Sequence, residues 1–348
     1  MGLRSRHDEV CVVYYEKHSF FNEELERAEV RVIETIQQSK FENIRNFRKL
    51  LYEIKPDIVQ AYLHGPGVIA ELASFFNKKW KLITTERSIY NPRFQKKFTF
   101  ILGRQLHRLS DWIVVNSHSN MKFLKNSAPY LKKKISVIIN SVDLDRFHPS
   151  DQRSQSNRDE LFEFIHIGSM SSIKNAPGIV RVLALLKGKT DRNFRLRWIG
   201  RAERNNPDHM ATLTEAQQLA RENNLEEAFQ FIGEKHDVEN YLRASDALIL
   251  CSKYEGLPNA ICEGMATGLP IVAGRVSDNE KLVQEGVNGF LCDPFDIESM
   301  AEAFQACLEL SEDDYKKFKE ASRCMAEEMF DTKRYIDEYQ DLYGSLLQ

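Results

Sequence analysis

The chain reads as an α/β protein: two Rossmann-like, doubly wound domains with a closing C-terminal helix. Three observations predict this. Short β-branched or aromatic runs alternate with segments of helical period along nearly the whole chain, as in parallel strands joined by crossover helices. Residues 150–160 contain no apolar side chain and interrupt that alternation once. The length of 348 residues, 42% of them hydrophobic, is enough for two cores.

In the first half, strands are expected at 10–15, 30–33, 58–62, 81–85, 112–116 and 135–139, with helices at 21–28 and from 117 to about 126. Ile44, Phe47, Leu50, Leu51 and Ile54 recur at helical spacing, and Pro56 stops that helix. Residues 94–109 form a basic helical stretch. After 150–160 the alternation resumes. Strands are expected at 161–167, 194–199, 228–232, 247–251 and 270–273, and helices at 176–187, 209–223, 237–244, 258–267 and 278–285. Tyr335, Tyr339, Leu342, Tyr343 and Leu346 share one helical face in the closing segment. The expected division is a first domain over 1–150, a second over 151–328 and a helix over 329–348. In such folds the ligand site lies at the C-terminal ends of the strands, here facing an inter-domain cleft.

Charge is unevenly spread. The net charge is −3, yet residues 81–150 are strongly basic, with Arg93, Lys96, Lys97, Arg104, Arg108 and Lys132, Lys133, Lys134. That stretch is either a solvated face or a surface that meets something anionic. The total charge is negative and no nucleic-acid reading module is present, so nucleic-acid binding is not expected. None of the six cysteines forms a C-x-x-C pair, so a reduced, cytoplasmic compartment and no structural zinc are expected. No apolar leader precedes Val10, and no run approaches membrane-spanning length.

Residues 250–273 carry the chemistry. The strand at 247–251 ends, a loop carries Glu255, Gly256 and Leu257, and Pro258 suits the first helical position. Gly268 and Pro270 suit the helix end. The loop therefore meets a helix N-terminus, where free amides and the dipole favour an anion. Glu263 follows Glu255 after seven intervening residues. Two such carboxylates can accept from hydroxyls at the two ends of one ligand with an anionic middle, as in a sugar linked through a diphosphate to a ribose. Taken singly, each is equally a surface carboxylate near a helix cap.

This stretch resembles the E-x7-E signature of the retaining GT-B glycosyltransferases of family four. The resemblance covers about residues 10–310. Residues 111–120 are similar to the family's Ala-Asp-x-hydrophobic strand and following Ser. Asn140-Ser141-Val142-Asp143, with Phe147 and Pro149, is similar to its Asn-Gly-Val-Asp-x-x-x-Phe-x-Pro, and Gly286-Val287-Asn288-Gly289 to its late Gly-x-x-Gly turn. Gly168 to Lys174 resembles the phosphate-binding loop, with Ser169 where the family usually carries Arg. The family's opening strand, glycine-rich loop and helix have no counterpart before residue 10, so the first sheet is expected to lack one strand.

The resemblance implies a retaining transfer of sugar from a nucleotide donor, UDP being the commonest, to a saccharide or lipid-linked acceptor. It implies that Glu255, with the amides of Gly256 and Leu257 beside Pro258, meets the donor sugar. Glu263 would take the ribose, Lys174 the diphosphate and the backbone at 232–235, including Gly233, the base. No metal or other cofactor is implied. His64 follows the strand at 58–62 where such enzymes carry a cleft-facing His, and a structural role stands equally open. Arg201 is either a replacement for the charge absent at Ser169 or a surface residue. The stretch 93–108 either docks on an anionic membrane or packs on the sheet. Two rival functions are a noncatalytic nucleotide-sugar-binding partner protein and a nucleotide-sugar epimerase.

Overall fold

A computed structural model describes residues 9–14, 22–35, 39–76, 78–87, 103–150 and 155–348. Two compact units divide the chain: Met1–Ile139 with Thr332–Gln348, and Asn140–Asp331.

The second unit contains a six-stranded parallel sheet of β7 (Phe162–Ile167), β8 (Phe194–Ile199), β9 (Phe229–Gly233), β10 (Ala247–Leu250), β11 (Ile271–Gly274) and β12 (Gly289–Cys292). Their spatial order is β12-β11-β10-β7-β8-β9. Counted from β7, this is the 3-2-1-4-5-6 order of a doubly wound nucleotide-binding sheet. Chain direction across the sheet reverses between β7 and β10, which pair through Ala247↔Phe164 and Leu248↔Ile165. Central strands are buried on both faces and therefore read as unbroken apolar runs. Phe164, Trp198, Ile249 and Val272 join residues of helices Ala176–Lys189 and Ile297–Leu308 in one core. Side chains cap the helices where the sequence supplies them. Asn206 accepts from the Asp208 and His209 amides, Asp296 from Glu298 and Ser311 from Asp314.

The first unit contains a parallel sheet in sequential order, β3 (Ile58–Tyr62), β4 (Lys81–Glu86), β5 (Trp112–Val115) and β6 (Ile135–Val137). β1 (Cys11–Tyr14) and β2 (Arg31–Glu34) pair with each other in register. Among the described residues no ladder joins them to the four-stranded sheet, so the continuous sheet expected from the alternation is in two pieces. Both strands have only four residues and neither is fully buried. Helix Thr332–Leu347 belongs to this unit, its Tyr339 and Leu342 packing against Ile83, Val114 and Ile138.

The compact units divide at Ile139/Asn140, before the polar stretch 150–160. Residues 140–150 belong to the second unit, and Gln155–Glu160 is helical. Composition located the polar stretch but not the docking of the segment before it. Val142 donates its amide to the Phe330 carbonyl at 3.0 Å, and Arg323 holds the Phe147 carbonyl at 2.9 Å. The closing helix starts at Thr332 rather than 329, because Glu312–Phe330 forms a separate helix before it. Residues 93–102 of the expected basic helix lie outside the described residues. Among the described residues no helix is long and apolar enough to cross a membrane.

The first unit has an ionic centre. His107 Nδ1 lies 2.6 Å from Glu71 Oε1, and its Nε2 lies 2.9 Å from Glu86 Oε1, all three side chains being buried. Burial alone would push the imidazole pKa down, but the hydrogen bonds and charges of the two carboxylates raise it to about 9. Burial likewise opposes ionisation of Glu86, but the hydrogen bond and charge of His107, together with the charges of Arg104 and His64, outweigh it and lower its pKa. The folded value for His107 lies above its ordinary 6.5, so its contribution is complete below about pH 6.5 and is lost as pH rises through 9. Thermal unfolding followed from pH 6 to 10 should show this alkaline loss. His107→Ala should abolish it and cost about 3–5 kcal/mol, since two buried carboxylates lose their counter-charge.

Candidate functional site

The reversal between β7 and β10 sends their following loops to opposite sides and leaves room between them. Gly168 leaves β7, its amide donating to the Ile199 carbonyl at 2.9 Å and its carbonyl accepting from Trp198 Nε1 at 2.9 Å. Met170 donates to the Arg201 carbonyl at 2.9 Å. A short turn, Ser172–Lys174, then brings Lys174 over Gly168, and Asn175 in the left-handed region (φ 63°) starts the next helix. From the other side, the loop after β10 carries Glu255, Gly256 and Leu257. Lys253 donates to the Ile173 carbonyl at 2.8 Å, stitching the two loops together.

Lys174 Nζ and Glu255 Oε1 meet at 2.5 Å, with side chains 21% and 10% exposed. The two residues assigned to diphosphate and sugar are therefore each other's counter-ion. Pro258 is the N-cap of helix Asn259–Ala266 rather than its first residue. The Ile261 and Cys262 amides turn back onto the Pro258 carbonyl, leaving the earlier amides at the helix mouth. Gly233 ends β9 at φ 84°, its carbonyl held by the Gly200 amide at 3.0 Å, and open space lies where its Cβ would be.

Glu263 is half-buried on that helix. Burial raises its pKa from 4.5 to about 7, against the opposing charge of Arg146 and with the like charge of Glu239. Arg201 contributes its backbone to the loop, while its side chain is 62% exposed and paired with Glu203 at 3.2 Å. Ser169 brings no charge. His64 lies in the other unit, exposed at the start of helix His64–Ala73, with its ring against Gly103. Among the described residues no group of three or more His, Cys, Asp or Glu is arranged to hold a metal.

Two residues escaped the sequence reading. His166, fully buried on β7, stacks on Trp198 at 3.6 Å, its Nε2 beneath Gly168. Its nitrogens lack a well-formed hydrogen bond among the described residues, with only a weak backbone interaction at Ile249. Burial, reinforced by Lys174, pushes its pKa well below 6.5 and keeps the ring neutral. The signal was a His inside an otherwise apolar run. Arg146, the other residue, looked like part of a motif whose informative positions were Asp143 and Phe147.

The family model described as Glycosyl transferases group 1 matches residues 148–325, and that described as Glycosyltransferase Family 4 matches residues 1–146. The chain is 25% identical over 313 residues to an uncharacterized glycosyltransferase of Haemophilus influenzae, covering 88% of this chain and 82% of that protein. It is 27% identical over 268 residues to the UDP-Gal:alpha-D-GlcNAc-diphosphoundecaprenol alpha-1,3-galactosyltransferase of Escherichia coli, covering 73% and 67%. Of two other curated relatives it spans 57% and 61%. The crystal structure of Anabaena Alr3699/HepE in complex with UDP and glucose superposes with a TM-score of 0.86 at 20% identity, over 98% of this chain and 93% of that one. That likeness shows the fold, GT-B with two Rossmann-like α/β domains.

Gly200 has no room for a side chain. At its φ of 152°, a Cβ would lie 2.0 Å from the Gly168 carbonyl oxygen. Gly200→Ala should destabilise the protein by about 2–4 kcal/mol, from overpacking and backbone strain together. Denaturant unfolding measures that cost; a loss under about 0.5 kcal/mol would show that the loop yields freely.

Proposed function

The chain belongs to the glycosyl transferases group 1 family, and from that premise we propose that it moves a sugar from a nucleoside diphosphate, UDP first, to a saccharide or lipid-linked acceptor with retention of configuration. The observation that carries this reading is the Lys174–Glu255 pair at the strand reversal, beside a helix mouth. An arriving diphosphate takes Lys174 from Glu255. The ammonium then neutralises charge developing on the leaving phosphate, and the freed carboxylate accepts from donor-sugar hydroxyls. Glu263 accepts from the ribose, and the backbone at 232–235, including Gly233, faces the base.

Further support comes from relatives. The Escherichia coli relative's name specifies a UDP-sugar and a lipid diphosphate acceptor. By that analogy the acceptor here is presented at an anionic membrane surface on the cytoplasmic side, with 93–108 as the contact. Retention rests on the resemblance of Glu255 and Glu263 to the E-x7-E pattern. Charge neutralisation is assigned to Lys174 and backbone amides, so no divalent cation is required.

Calorimetric titration with UDP, GDP and ADP, then with matching sugar nucleotides, tests the donor assignment. One nucleotide should bind, and Lys174→Ala should lower kcat/KM about 10²–10³-fold, the scale of one lost electrostatic stabiliser. Glu255→Ala should impair binding of the sugar nucleotide more than of the free nucleotide. EDTA should leave turnover unchanged, and the product anomer, read by NMR, should match the donor's. Equal affinity for all nucleotides in wild type and variants would sink the site.

A further inference from the structure

Segment 140–149 is bound to the nucleotide-binding unit at three places. Asn140 Nδ2 donates to Asn259 Oδ1 at 3.0 Å, at the start of the helix that carries Glu263. Arg323 links the segment to the end of that helix, donating to the Phe147 and Ala266 carbonyls at 2.9 and 2.8 Å. Arg146 Nη2 donates to Glu239 Oε2 at 2.8 Å and to the His236 carbonyl at 3.0 Å, and Arg243 holds the Arg146 carbonyl at 3.0 Å. These contacts bracket Glu263 and fix a guanidinium within electrostatic reach of its carboxylate.

We propose that Arg146 is a positioning residue of the nucleotide site: locked against helix Val238–Arg243, it supplies the fixed positive charge against which Glu263 presents an ionised carboxylate to a vicinal diol. The inference rests on the donor-site reading of Glu263. Burial and two charged groups set that carboxylate's ionisation. Burial raises its pKa to about 7, Arg146 lowers it and Glu239 raises it. Cys262, next in sequence, is a buried neutral thiol, and Asp143 acts on Arg146. Two further cations on the surrounding elements have partners of their own: Arg243 donates to the Arg146 carbonyl and to Asn240 Oδ1 and lies 3.5 Å from His148 Nε2, and Arg323 donates to the Phe147 and Ala266 carbonyls and pairs with Glu327. Arg146 is thus one cation within reach of three carboxylates, Glu239, Glu263 and Asp143.

The test is UDP titration of the full chain across pH 5.5–9, with GDP and ADP as alternates. Wild-type affinity should fall about tenfold from pH 8.5 to 6 as Glu263 protonates, and Glu263→Gln should remove the inflection. Arg146→Gln should move the inflection up by about one unit, giving about fivefold weaker binding at pH 7 and affinity within about twofold of wild type at pH 9. Arg146→Lys should largely restore the wild-type profile. Glu239→Gln should move the inflection down, while the upward shift in Arg146→Gln is the direction that loosened packing, which would hydrate Glu263 and lower its pKa, does not produce. Binding by Arg146→Gln that is unchanged at pH 7, or equally weakened at pH 7 and 9, would overturn the proposal. If no nucleotide binds wild type at any pH, the donor-site reading falls and this assignment with it. Nucleotide binding with an inflection lost in Glu263→Gln, but unmoved in Arg146→Gln and Glu239→Gln, would spare the donor site and reject Arg146 alone.

Discussion

The donor-side geometry depends on the pairing of β7 with β10. Those strands are neighbours in space but far apart in sequence, and the windings on their two sides run in opposite directions. Their following loops therefore diverge, and the room between them is a property of topology rather than of any one side chain. Lys174 and Glu255 fill it with opposite charges. Removing an ammonium and a carboxylate from water is costly, and a buried pair is weak evidence of stabilisation. The Lys253–Ile173 backbone bond already joins the loops without charge. The pair is better explained as two groups held in readiness for a ligand that engages each separately.

Beneath these charges lies a closely packed floor. Trp198 holds the Gly168 carbonyl, Gly200 allows the close approach of the two loops, and His166 stacks on the indole. A protonated imidazole there would compete with Lys174 for the same anion and would repel it. Full burial and the nearby ammonium keep the ring neutral. The cost is a pair of poorly satisfied ring nitrogens. The positive charge in this place thus resides on Lys174, paired with Glu255, and not on the ring beneath it.

The second unit was largely legible because its strands are short apolar runs and its turns carry explicit punctuation. Gly268 does adopt the left-handed conformation its place after a helix suggested, at φ 74°. Features that depend on partners far apart in sequence were not legible. The polar run at 150–160 looked like a linker because composition cannot register that Val142, Arg146 and Phe147 dock just before it. Sequence left Arg201 open between a replacement for the missing cation and a surface residue, and its side chain is exposed beside Glu203. Glu71, Glu86 and His107 come from three separate elements, and nothing in their local sequence announces a buried cluster.

The two units are also stabilised differently. The second has a continuous apolar core running from Phe162 to Leu308, whose contribution is insensitive to pH. The first has smaller apolar clusters around an imidazolium shared by two carboxylates. Every residue assigned to the nucleotide, from Arg146 through Glu263, falls within Asn140–Asp331, because segment 140–149 joins that unit rather than the first. The proposed donor site therefore lies in the unit with the larger apolar core. The pH-sensitive ion cluster belongs to the other unit, so loss of its charge need not distort the Lys174–Glu255 pair. The two units thus carry different titrating groups, Glu263 near neutrality in the second and His107 at alkaline pH in the first.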